Sequence, residues 1–407
     1  MVTVNVADVN EKLLLFKKET TTELKSILDW WSQYMIDETN GGFYGSVNNE
    51  NVADSSAAKG IVLNSRILYF FSAAYNFTNE EKYLAIAFRS YTYILAHFAD
   101  RAFGGVYWSL DAKGKMLNGK KQIYGLAFCI YAMSEYYKAG KDSQALHFAK
   151  ELYNLIEQYS YDKKNGGYIE AFTREWNDSV DLRLSYKDDN EKKTTNTHLH
   201  IIEAYSNLYG IWPNAILKEK IESLLENFDR HMINKETGHL NLFMNEEWRV
   251  QSTLVSYGHD IEAAWLLQQC AVIIGNELYE DKFKQSAITL ADDAAEGLDE
   301  DGGLWYEFEP AENNLIKEKH SWPQAEAMVG FFNAYQLTGN GKYLDYSIDS
   351  WNFIKQYIRD EKNGEWYWGI NADRTSMQKE KAGFWKCPYH NSRACMEIIK
   401  RINSQLK

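Results

Sequence analysis

Two histidines stand three residues before a carboxylate, in segments that start polar and become apolar. His259 precedes Glu262 in SYGHDIEAAWLL, and His200 precedes Glu203 in NTHLHIIEAY. Residues three apart share a helix face, and a carboxylate beside an imidazole fixes its tautomer and raises its basicity. These pairs indicate general acid–base chemistry. The alternative is a helix N-terminus in which Asp260 and Glu262 only complement the helix dipole.

Further polar residues lie in similar apolar surroundings. His390 precedes Arg393 in WKCPYHNSRACME, and Arg66 interrupts the apolar run IVLNSRILYFF. A buried guanidinium needs anionic or carbonyl partners, so Arg66 is either structural or suited to bind an oxyanion. His198 lies two residues from His200 and points elsewhere on a helix; we expect it to be hydrogen-bonded in the core.

These residue types together suggest proton abstraction next to a carbonyl group. That reaction needs a base, a second acid or base, and a cation that stabilises the oxyanion. Imidazoles titrate near neutrality and suit the movement of a proton off carbon or oxygen. On an aldose this is chemistry at C2, which gives either epimerisation or aldose–ketose isomerisation.

Other kinds of site use similar residues. Three histidines and a glutamate are a plausible metal ligand set, but the chain has no HExxH motif and His-x-x-Glu is an unusual order for di-metal bundles. A glycoside hydrolase needs two carboxylates across a cleft, for which Glu262, Asp188 and Asp189 are candidates. A sugar-binding barrel without catalytic activity is the third alternative.

A glycine-containing turn recurs six times and shows how these residues are positioned. Each copy has acidic or Asn-rich residues, then glycine, then mostly aromatic residues. The first glycines are Gly41, Gly104, Gly166, Gly238, Gly302 and Gly364, so the interval is 62 to 72 residues. Asn or Asp beside Gly adopts positive φ at little cost, and alternating aromatic residues favour a short strand. Six structural repeats with β-hairpins in Gly-rich loops are therefore predicted.

Apolar residues between the turns follow a helical period. Residues 80–98 are amphipathic, whereas 59–75 and 124–137 are apolar nearly all round. A helix that is apolar on every side is buried on every side. The pattern predicts twelve helices, two in each repeat: 8–36, 58–77, 80–98, 120–139, 141–159, 194–211, 213–233, 256–275, 277–297, 321–338, 341–358 and 388–404.

Six helical hairpins predict an all-α fold, an (α/α)6 barrel with the apolar helices as its inner wall. An open solenoid is the alternative. With four prolines and no Pro/Gly/Ser-rich linker, residues 1–407 are predicted to form a single domain. Each Gly-rich turn leads to the N-terminus of an inner helix, so the histidines and Arg66 are predicted to meet at one mouth of the barrel.

Composition excludes several partners. The net charge is −13 and no basic stripe is present, which excludes nucleic acid and an anionic membrane surface. The N-terminus lacks a signal-peptide pattern, no run of 18 apolar residues occurs, and the four cysteines form no CxxC pair. We expect a cytoplasmic protein, monomeric or a weak homodimer, that acts on a small molecule.

Four motifs resemble the cellobiose 2-epimerases of the N-acylglucosamine 2-epimerase superfamily. They are NTHLHIIEAY, SYGHDIEAAWLL, HSWPQAEAM and WKCPYHNSRACME, and the resemblance covers nearly the whole chain. It implies an (α/α)6 barrel, no cofactor and no metal. It also implies C2 epimerisation of the reducing-end glucose of β-1,4-linked disaccharides (cellobiose, with lactose and mannobiose), with monosaccharide isomerases and N-acylglucosamine 2-epimerases as alternatives.

The resemblance also implies individual roles. His259 and His390 would be the paired acid–base groups, and Glu262 would orient His259. His200 would assist ring opening, and Arg66 would neutralise the enediolate. The implied sugar contacts are Tyr124, Asp188, Asn196, Trp322 and Trp385.

Overall fold

The structure is a computed structural model that describes residues 6–406. These residues form twelve α-helices, as predicted. The outer ones are α1 (Val6–Tyr34), α3 (Glu81–Tyr93), α5 (Ser143–Leu155), α7 (Ala215–Asn227), α9 (Glu277–Ala294) and α11 (Gly341–Phe353). The inner ones are α2 (Ile61–Thr78), α4 (Ile123–Gly140), α6 (Thr195–Tyr209), α8 (Tyr257–Ile274), α10 (Ser321–Thr338) and α12 (His390–Gln405).

The inner helices form a closed ring, so the predicted (α/α)6 barrel is confirmed and the open solenoid is wrong. Each inner helix contacts the next one in the chain, and α12 contacts α2 to close the ring. The outer helices pack against this wall: α3 on α2, α5 on α4, α7 on α6, α9 on α8, α11 on α10 and α1 on α12. In α2 every residue from Ile61 to Ala74 is buried, because helices cover it on all sides.

Helix boundaries differ from the predicted ones by a few residues. The last helix was predicted from 388 but begins at His390, two residues after Pro388. Four outer helices end in a wide π-helical turn: Ile94–Phe98, Ile156–Ser160, Phe228–Met232 and Ile354–Ile358. The residue after each turn donates its N–H to the carbonyl five residues earlier, for example Ala99 to Ile94 at 3.1 Å. This turn leads the chain into the Gly-rich loop.

The glycine turns have the predicted backbone geometry. The six first glycines all have φ between 75° and 83°, a region that is strained for residues with a Cβ. Antiparallel bridges flank each turn, for example Ile36 with Phe43 and Ala99 with Val106. The β-hairpins predicted in the Gly-rich loops are therefore confirmed.

A second set of strand pairs, not predicted from the sequence, joins neighbouring repeats. The strand before an inner helix pairs antiparallel with the strand that follows the next turn: β1 (Lys59–Gly60) with β2 (Ser109–Leu110), β4 (Lys121–Gln122) with β5 (Ala171–Phe172), β6 (Lys193–Thr194) with β7 (Phe243–Met244), and β10 (Lys319–His320) with β11 (Gly369–Ile370). Val255 bridges Phe308, and Val47 bridges Ala382 to complete the circle. The remaining strands are β3 (Met116–Asn118), β8 (Glu307–Glu309) and β9 (Asn314–Ile316).

An ion pair with a buried lysine holds five of the six turns to the segment before the inner helix. The pairs are Lys59–Asp37, Lys121–Asp100, Lys193–Asp162, Lys319–Asp299 and Lys381–Asp360, at 2.5 to 2.9 Å. The fourth repeat has Asn234 and Val255 at these positions. There Asp260 accepts the His239 Nδ1–H at 2.8 Å instead, so Asp260 points away from the lumen.

Within α6, His198 supports a turn as a neutral side chain. Its Nε2 accepts the Tyr168 N–H at 2.9 Å, and its Nδ1–H donates to the Thr194 carbonyl at 2.7 Å. Burial lowers the pKa of His198 to about 3. The same position of α10 holds Gln324, which accepts the Leu304 N–H at 2.7 Å. His198 is a hydrogen-bonded core residue, as predicted.

None of the helices within residues 6–406 has the length and apolar character required to cross a bilayer.

The Lys59–Asp37 pair provides a test of this framework. Lys59→Val leaves a buried carboxylate unpaired, and we expect it to lower the free energy of unfolding by about 3–5 kcal/mol in urea titrations. Adding Asp37→Asn reproduces the residue types of the fourth repeat and should recover part of this loss. The control is Lys12→Met at the exposed Lys12–Asp345 pair, expected to cost at most about 1 kcal/mol. Equal losses in both single variants would contradict this role.

His198 predicts a defined loss of stability in acid. An unfolded histidine titrates near 6.5, and the folded pKa is about 3, so the unfolded chain binds the proton more tightly. The contribution of His198 is complete above pH 6.5 and is lost as the pH falls towards 3, by about 2 kcal/mol at pH 5. In His198→Gln, which does not titrate, the loss between pH 7.5 and pH 5 should be smaller by that amount. Identical pH dependence would contradict the assignment.

Candidate active site

The N-termini of the inner helices surround one mouth of the barrel, where the ring of strand pairs lies. The position six residues after the helix N-cap carries a buried polar or charged side chain in four of the six: Arg66, His200, Glu262 and Glu326. These side chains are only 1% to 3% exposed. Because burial of charge is unfavourable without compensation, their partners determine what the site can do.

Arg393 of α12 is the partner of the buried carboxylates. Its Nη2 lies 2.7 Å from Glu326 Oε1 and 3.1 Å from Glu262 Oε1. Its Nη1 lies 2.5 Å from Glu203 Oε1, and the Tyr389 hydroxyl donates to the other oxygen of Glu203 at 2.5 Å. One guanidinium therefore bonds to three carboxylates from three different helices.

The three predicted histidines share one arrangement. Nδ1 of each ring has a partner, at 2.6 Å for His390 with Glu326, 3.0 Å for His200 with Glu203 and 2.8 Å for His259 with Ser256 Oγ. Their Nε2 atoms hydrogen-bond to no other residue among 6–406. In the structural His198, by contrast, both ring nitrogens are bonded. The free Nε2 atoms are therefore available to a substrate.

The predicted contact between His259 and Glu262 is wrong. Glu262 lies one turn deeper, where Arg393 binds its carboxylate, and it is 3.9 Å from His390 Nδ1. Ser256, the N-cap of α8, contacts His259 instead. The i and i+3 positions share a face, but the nearby guanidinium on another helix determines where the carboxylate points. The equivalent pairing of His200 with Glu203 is confirmed.

Burial keeps the imidazoles neutral. It lowers the pKa of His259 to about 3, with a further contribution from His200. Burial, Arg66 and Arg393 lower the pKa of His390 well below its ordinary value. Burial and mutual repulsion raise the pKa of Glu262, and burial raises that of Glu326. At neutral pH both rings are therefore neutral, and His390, whose Nδ1–H donates to the Glu326 carboxylate, has an Nε2 lone pair that can accept a proton.

Arg66 differs from Arg393 because no carboxylate among residues 6–406 forms an ion pair with it. Its Nη1 lies 3.2 Å from Cys387 Sγ, and its Nη2 lies 2.8 Å from the Tyr124 hydroxyl. The guanidinium lies against the rings of Phe128 and Tyr389, at 4.1 and 4.6 Å from their centroids. Its Nε has no hydrogen-bond partner. This positive charge is available to an oxyanion.

Aromatic rings line the space between these groups. Trp322 lies between the two paired histidines, with ring centroids 4.8 Å from His259 and 5.5 Å from His390. Trp385 lies 5.9 Å from Tyr124 and 5.9 Å from Trp108. Trp322 and Trp385 are partly exposed. Amphipathic rings of this kind suit the faces of sugar rings.

Two of the predicted sugar contacts are less closely connected to this cluster. Asn196 occupies the first turn of α6 and is partly exposed at the mouth. Asp188 lies in the loop between β5 and β6, where its carboxylate accepts the Ser185 N–H at 2.8 Å. Burial and Asp189 raise the pKa of Asp188.

Sequence reasoning missed Glu326, Ser256, Tyr389 and Cys387 as parts of this cluster. The repeat itself held the signal for Glu326, which occupies the same position in α10 as Glu262 does in α8. Cys387 and Tyr389 lie just before α12, outside the helix itself. Only the folded backbone brings them against Arg66 and Arg393.

Glu262, Glu326 and His390 also have the spacing of a metal site. Their ligand atoms lie within 4.8 Å of one another. Arg393, however, is already bonded to both carboxylates. A cation bound there would lie against a guanidinium, which is electrostatically unfavourable. These donors fit the guanidinium better than they fit a metal ion.

Residues 41–394 match the family model of N-acylglucosamine 2-epimerase (GlcNAc 2-epimerase). The chain belongs to this family. It is 44% identical to a cellobiose 2-epimerase of Bacteroides fragilis over 387 residues, which is 95% of this chain and 99% of that protein. The predicted fold, the enzyme class and the resemblance to cellobiose 2-epimerases are thereby confirmed.

Solved structures of similar proteins have the same fold. The cellobiose 2-epimerase from Bacillus thermoamylovorans B4167 superimposes with a TM-score of 0.91 at 38% identity, covering 95% of this chain and 99% of that one. A D-mannose isomerase superimposes with a TM-score of 0.84 at 22% identity, covering 95% and 98%. The second likeness shows the shared fold alone. The chain is therefore a carbohydrate epimerase built on this barrel.

The unpaired charge of Arg66 provides a test. Cys387→Asp would place a carboxylate beside the guanidinium and neutralise it, so we expect kcat for epimerisation to fall at least ~100-fold. Cys387→Ser keeps a small neutral group and should stay within ~5-fold of the parent protein. Circular dichroism establishes that both variants fold. Equal activity of the two variants would show that the charge of Arg66 need not be free.

Proposed function

We propose that this enzyme inverts C2 of the reducing-end glucose of β-1,4-linked disaccharides. Cellobiose would give glucosyl-mannose, lactose would give epilactose, and mannobiose would react in the reverse sense. The observation that carries the proposal is the pair of neutral imidazoles, His259 and His390, on either side of Trp322, with the unpaired Arg66 in the same lumen. The family relationship supports the same reaction.

The first step of the proposed mechanism is opening of the sugar ring. His200 is hydrogen-bonded through Nδ1 to Glu203, so its Nε2 can exchange a proton with the ring oxygen or the O1 hydroxyl. The Tyr124 ring lies edge-on to His200, with centroids 5.0 Å apart. Opening exposes the aldehyde at C1, which acidifies the proton on C2.

Proton transfer at C2 follows. Nε2 of one histidine removes the C2 proton, and the electron pair forms the C1–C2 double bond of a cis-enediolate with negative charge on O1. Arg66 stabilises that charge, because no carboxylate occupies its guanidinium. Rotation about C2–C3 presents the opposite face. The second histidine, protonated at Nε2 from solvent, donates that proton to C2, and the first histidine releases the proton taken from C2 to solvent. One proton leaves C2 and one returns, so product and substrate are isomers.

Glu326 supports this exchange. It accepts the Nδ1–H of His390 at 2.6 Å, which leaves Nε2 as the basic atom. When Nε2 gains the C2 proton, the carboxylate stabilises the imidazolium at close range. Ser256 makes the corresponding contact with His259, but as a neutral group. The two histidines therefore differ in how strongly their protonated forms are stabilised.

A disaccharide is favoured over a monosaccharide by the extent of the aromatic surface. Trp108, Phe384 and Trp385 form a contiguous group, with centroid separations of 4.9 to 5.9 Å. Trp322 lies separately, between the catalytic histidines. We assign Trp322 to the reacting sugar and the Trp108 group to the second ring. Asp188 and Asn196 are proposed to contact sugar hydroxyls.

A glycoside hydrolase is disfavoured by the carboxylates. Hydrolysis needs one carboxyl group as acid and a second as base or nucleophile. Glu203, Glu262 and Glu326 are all bonded to Arg393. The acid–base groups that are available to a substrate are instead the imidazoles, through Nε2.

Other properties predicted from the sequence remain predictions. They are a single domain over residues 1–407, the absence of a cofactor, a monomer or weak homodimer, and a cytoplasmic location.

Proton NMR of the protein with cellobiose in D2O tests the reaction. We expect a mannose-type reducing end to appear and solvent deuterium to enter at C2. His259→Asn and His390→Asn should each lower turnover at least ~1000-fold while the protein stays folded, since each removes an acid–base group. The control is His147→Asn, on the exposed face of α5. Release of free glucose would identify a hydrolase, and conversion of mannose to fructose alone would identify a monosaccharide isomerase.

A further inference from the structure

A second cavity lies between the inner helices at the end of the barrel opposite the proposed catalytic site. Its volume is about 330 Å³. It is bordered by the C-terminal halves of α2, α4, α6 and α8 and by α12. We name it the rear cavity. The proposed mechanism makes no use of it.

Arg393 and Glu203 separate the rear cavity from the catalytic site. Both line the cavity, yet Arg393 also bonds to Glu262 and Glu326, and Glu203 also bonds to His200. Arg393 Nε has no hydrogen-bond partner, although the side chain is only 3% exposed. Both Nη atoms of this guanidinium therefore have hydrogen-bond partners, whereas its Nε–H has none.

Other uncommitted polar groups line the same cavity. The hydroxyl of Ser206, a residue 2% exposed, has no hydrogen-bond partner. The Gln269 amide hydrogen-bonds to no other residue among 6–406. Burial raises the pKa values of Tyr69 and Tyr131, so both phenols are neutral. Buried polar atoms without partners, here Ser206 Oγ and Arg393 Nε, are unfavourable, and a polar occupant would satisfy them; Gln269 is only partly buried.

Charged residues in the rear cavity already have partners within the protein. Lys138 lies 3.0 Å from Glu135, which also accepts from Asn76 at 2.8 Å. Lys400 lies 3.3 Å from Glu397. The Arg393 charge is balanced by its three carboxylates. The free groups are thus the Nε–H of a guanidinium whose charge is already balanced and several neutral donors and acceptors, which together favour an uncharged ligand over an ion.

We propose that the rear cavity binds a small uncharged polyhydroxylated molecule of monosaccharide size. Its hydroxyls would meet Arg393 Nε, Ser206 and Gln269, and its carbon skeleton would meet Ala73, Leu266 and Ile273. The volume lies near the lower limit for ligand cavities, which fits one sugar ring rather than two. This inference is independent of the reaction proposed above.

Occupancy would also affect the catalytic side. A ligand oxygen on Arg393 Nε would change how the guanidinium shares its charge among Glu203, Glu262 and Glu326. Glu203 and Glu326 hold His200 and His390. The ligand would therefore act on the acid–base groups through a single side chain.

Methyl β-D-glucoside is a suitable probe, because its anomeric carbon is locked and it cannot undergo ring opening. Crystals of the full chain soaked in it should show the sugar in the rear cavity, and saturation-transfer NMR should give a dissociation constant. Gln269→Leu removes the amide and should weaken this binding ~5-fold. Gln269→Phe fills the cavity and should abolish it. Both variants should keep the parent kcat/KM for cellobiose.

Trp385→Ala provides the matched control, because it weakens binding in the proposed catalytic cleft and leaves the rear cavity intact. If the probe binds Trp385→Ala as tightly as the parent protein and fails to bind Gln269→Phe, the rear cavity is a ligand site. If Trp385→Ala loses binding and both Gln269 variants retain it, the sugar occupies only the cleft and the proposal is wrong. Ordered water alone in soaked crystals, without saturable binding, would also overturn it. These outcomes are read from binding of the probe, so they stay the same if the protein proves not to epimerise cellobiose.

Discussion

The bonds from Arg393 to Glu203, Glu262 and Glu326 hold the centre of the barrel together. They connect α12 with α6, α8 and α10, so four of the six inner helices are joined. Three buried carboxylates this close would repel one another and lose their hydration. The guanidinium offsets both effects. Since Glu203 and Glu326 also bind His200 and His390, the contact that makes the core possible orients the imidazoles as well.

The repeats separate structural requirements from chemical ones. Glycine turns with positive φ, strand pairs between repeats and buried Lys–Asp pairs recur around the ring and fix where each inner helix starts. In four of the inner helices the sixth position after the N-cap then faces the lumen whether the residue is basic or acidic, as Arg66, His200 and Glu262 show. Residues at this position can differ without a change in the framework. The fourth repeat shows that even the ion pair can be replaced, by His239 and Asp260.

Much of this architecture was predictable because it depends on local and periodic signals. The glycine turns and the helical period gave the number of repeats, the closed ring and the mouth at which His200, His259 and His390 lie. Contacts between distant helices were not predictable in this way. Spacing paired His259 with Glu262, but Arg393, 131 residues further along the chain, binds that carboxylate. The strand pairs between repeats also join residues that are far apart in the chain. They were missed because strands of two residues leave no periodic pattern in the sequence.

Arg66 and Arg393 show how one residue type serves two purposes in a single lumen. Arg393 has carboxylates on both Nη atoms, so its charge is already paired in the protein without substrate. Arg66 has only a thiol, a phenol and aromatic rings around it, and these compensate a buried cation incompletely. The resting protein thus carries a cation that is better satisfied when a negative charge forms nearby. In the proposed reaction, an enediolate beside the neutral imidazoles would supply that charge, whereas a disaccharide in its ring form would not. Stabilisation that increases as the reaction proceeds lowers the barrier, whereas equal stabilisation of substrate and transition state does not.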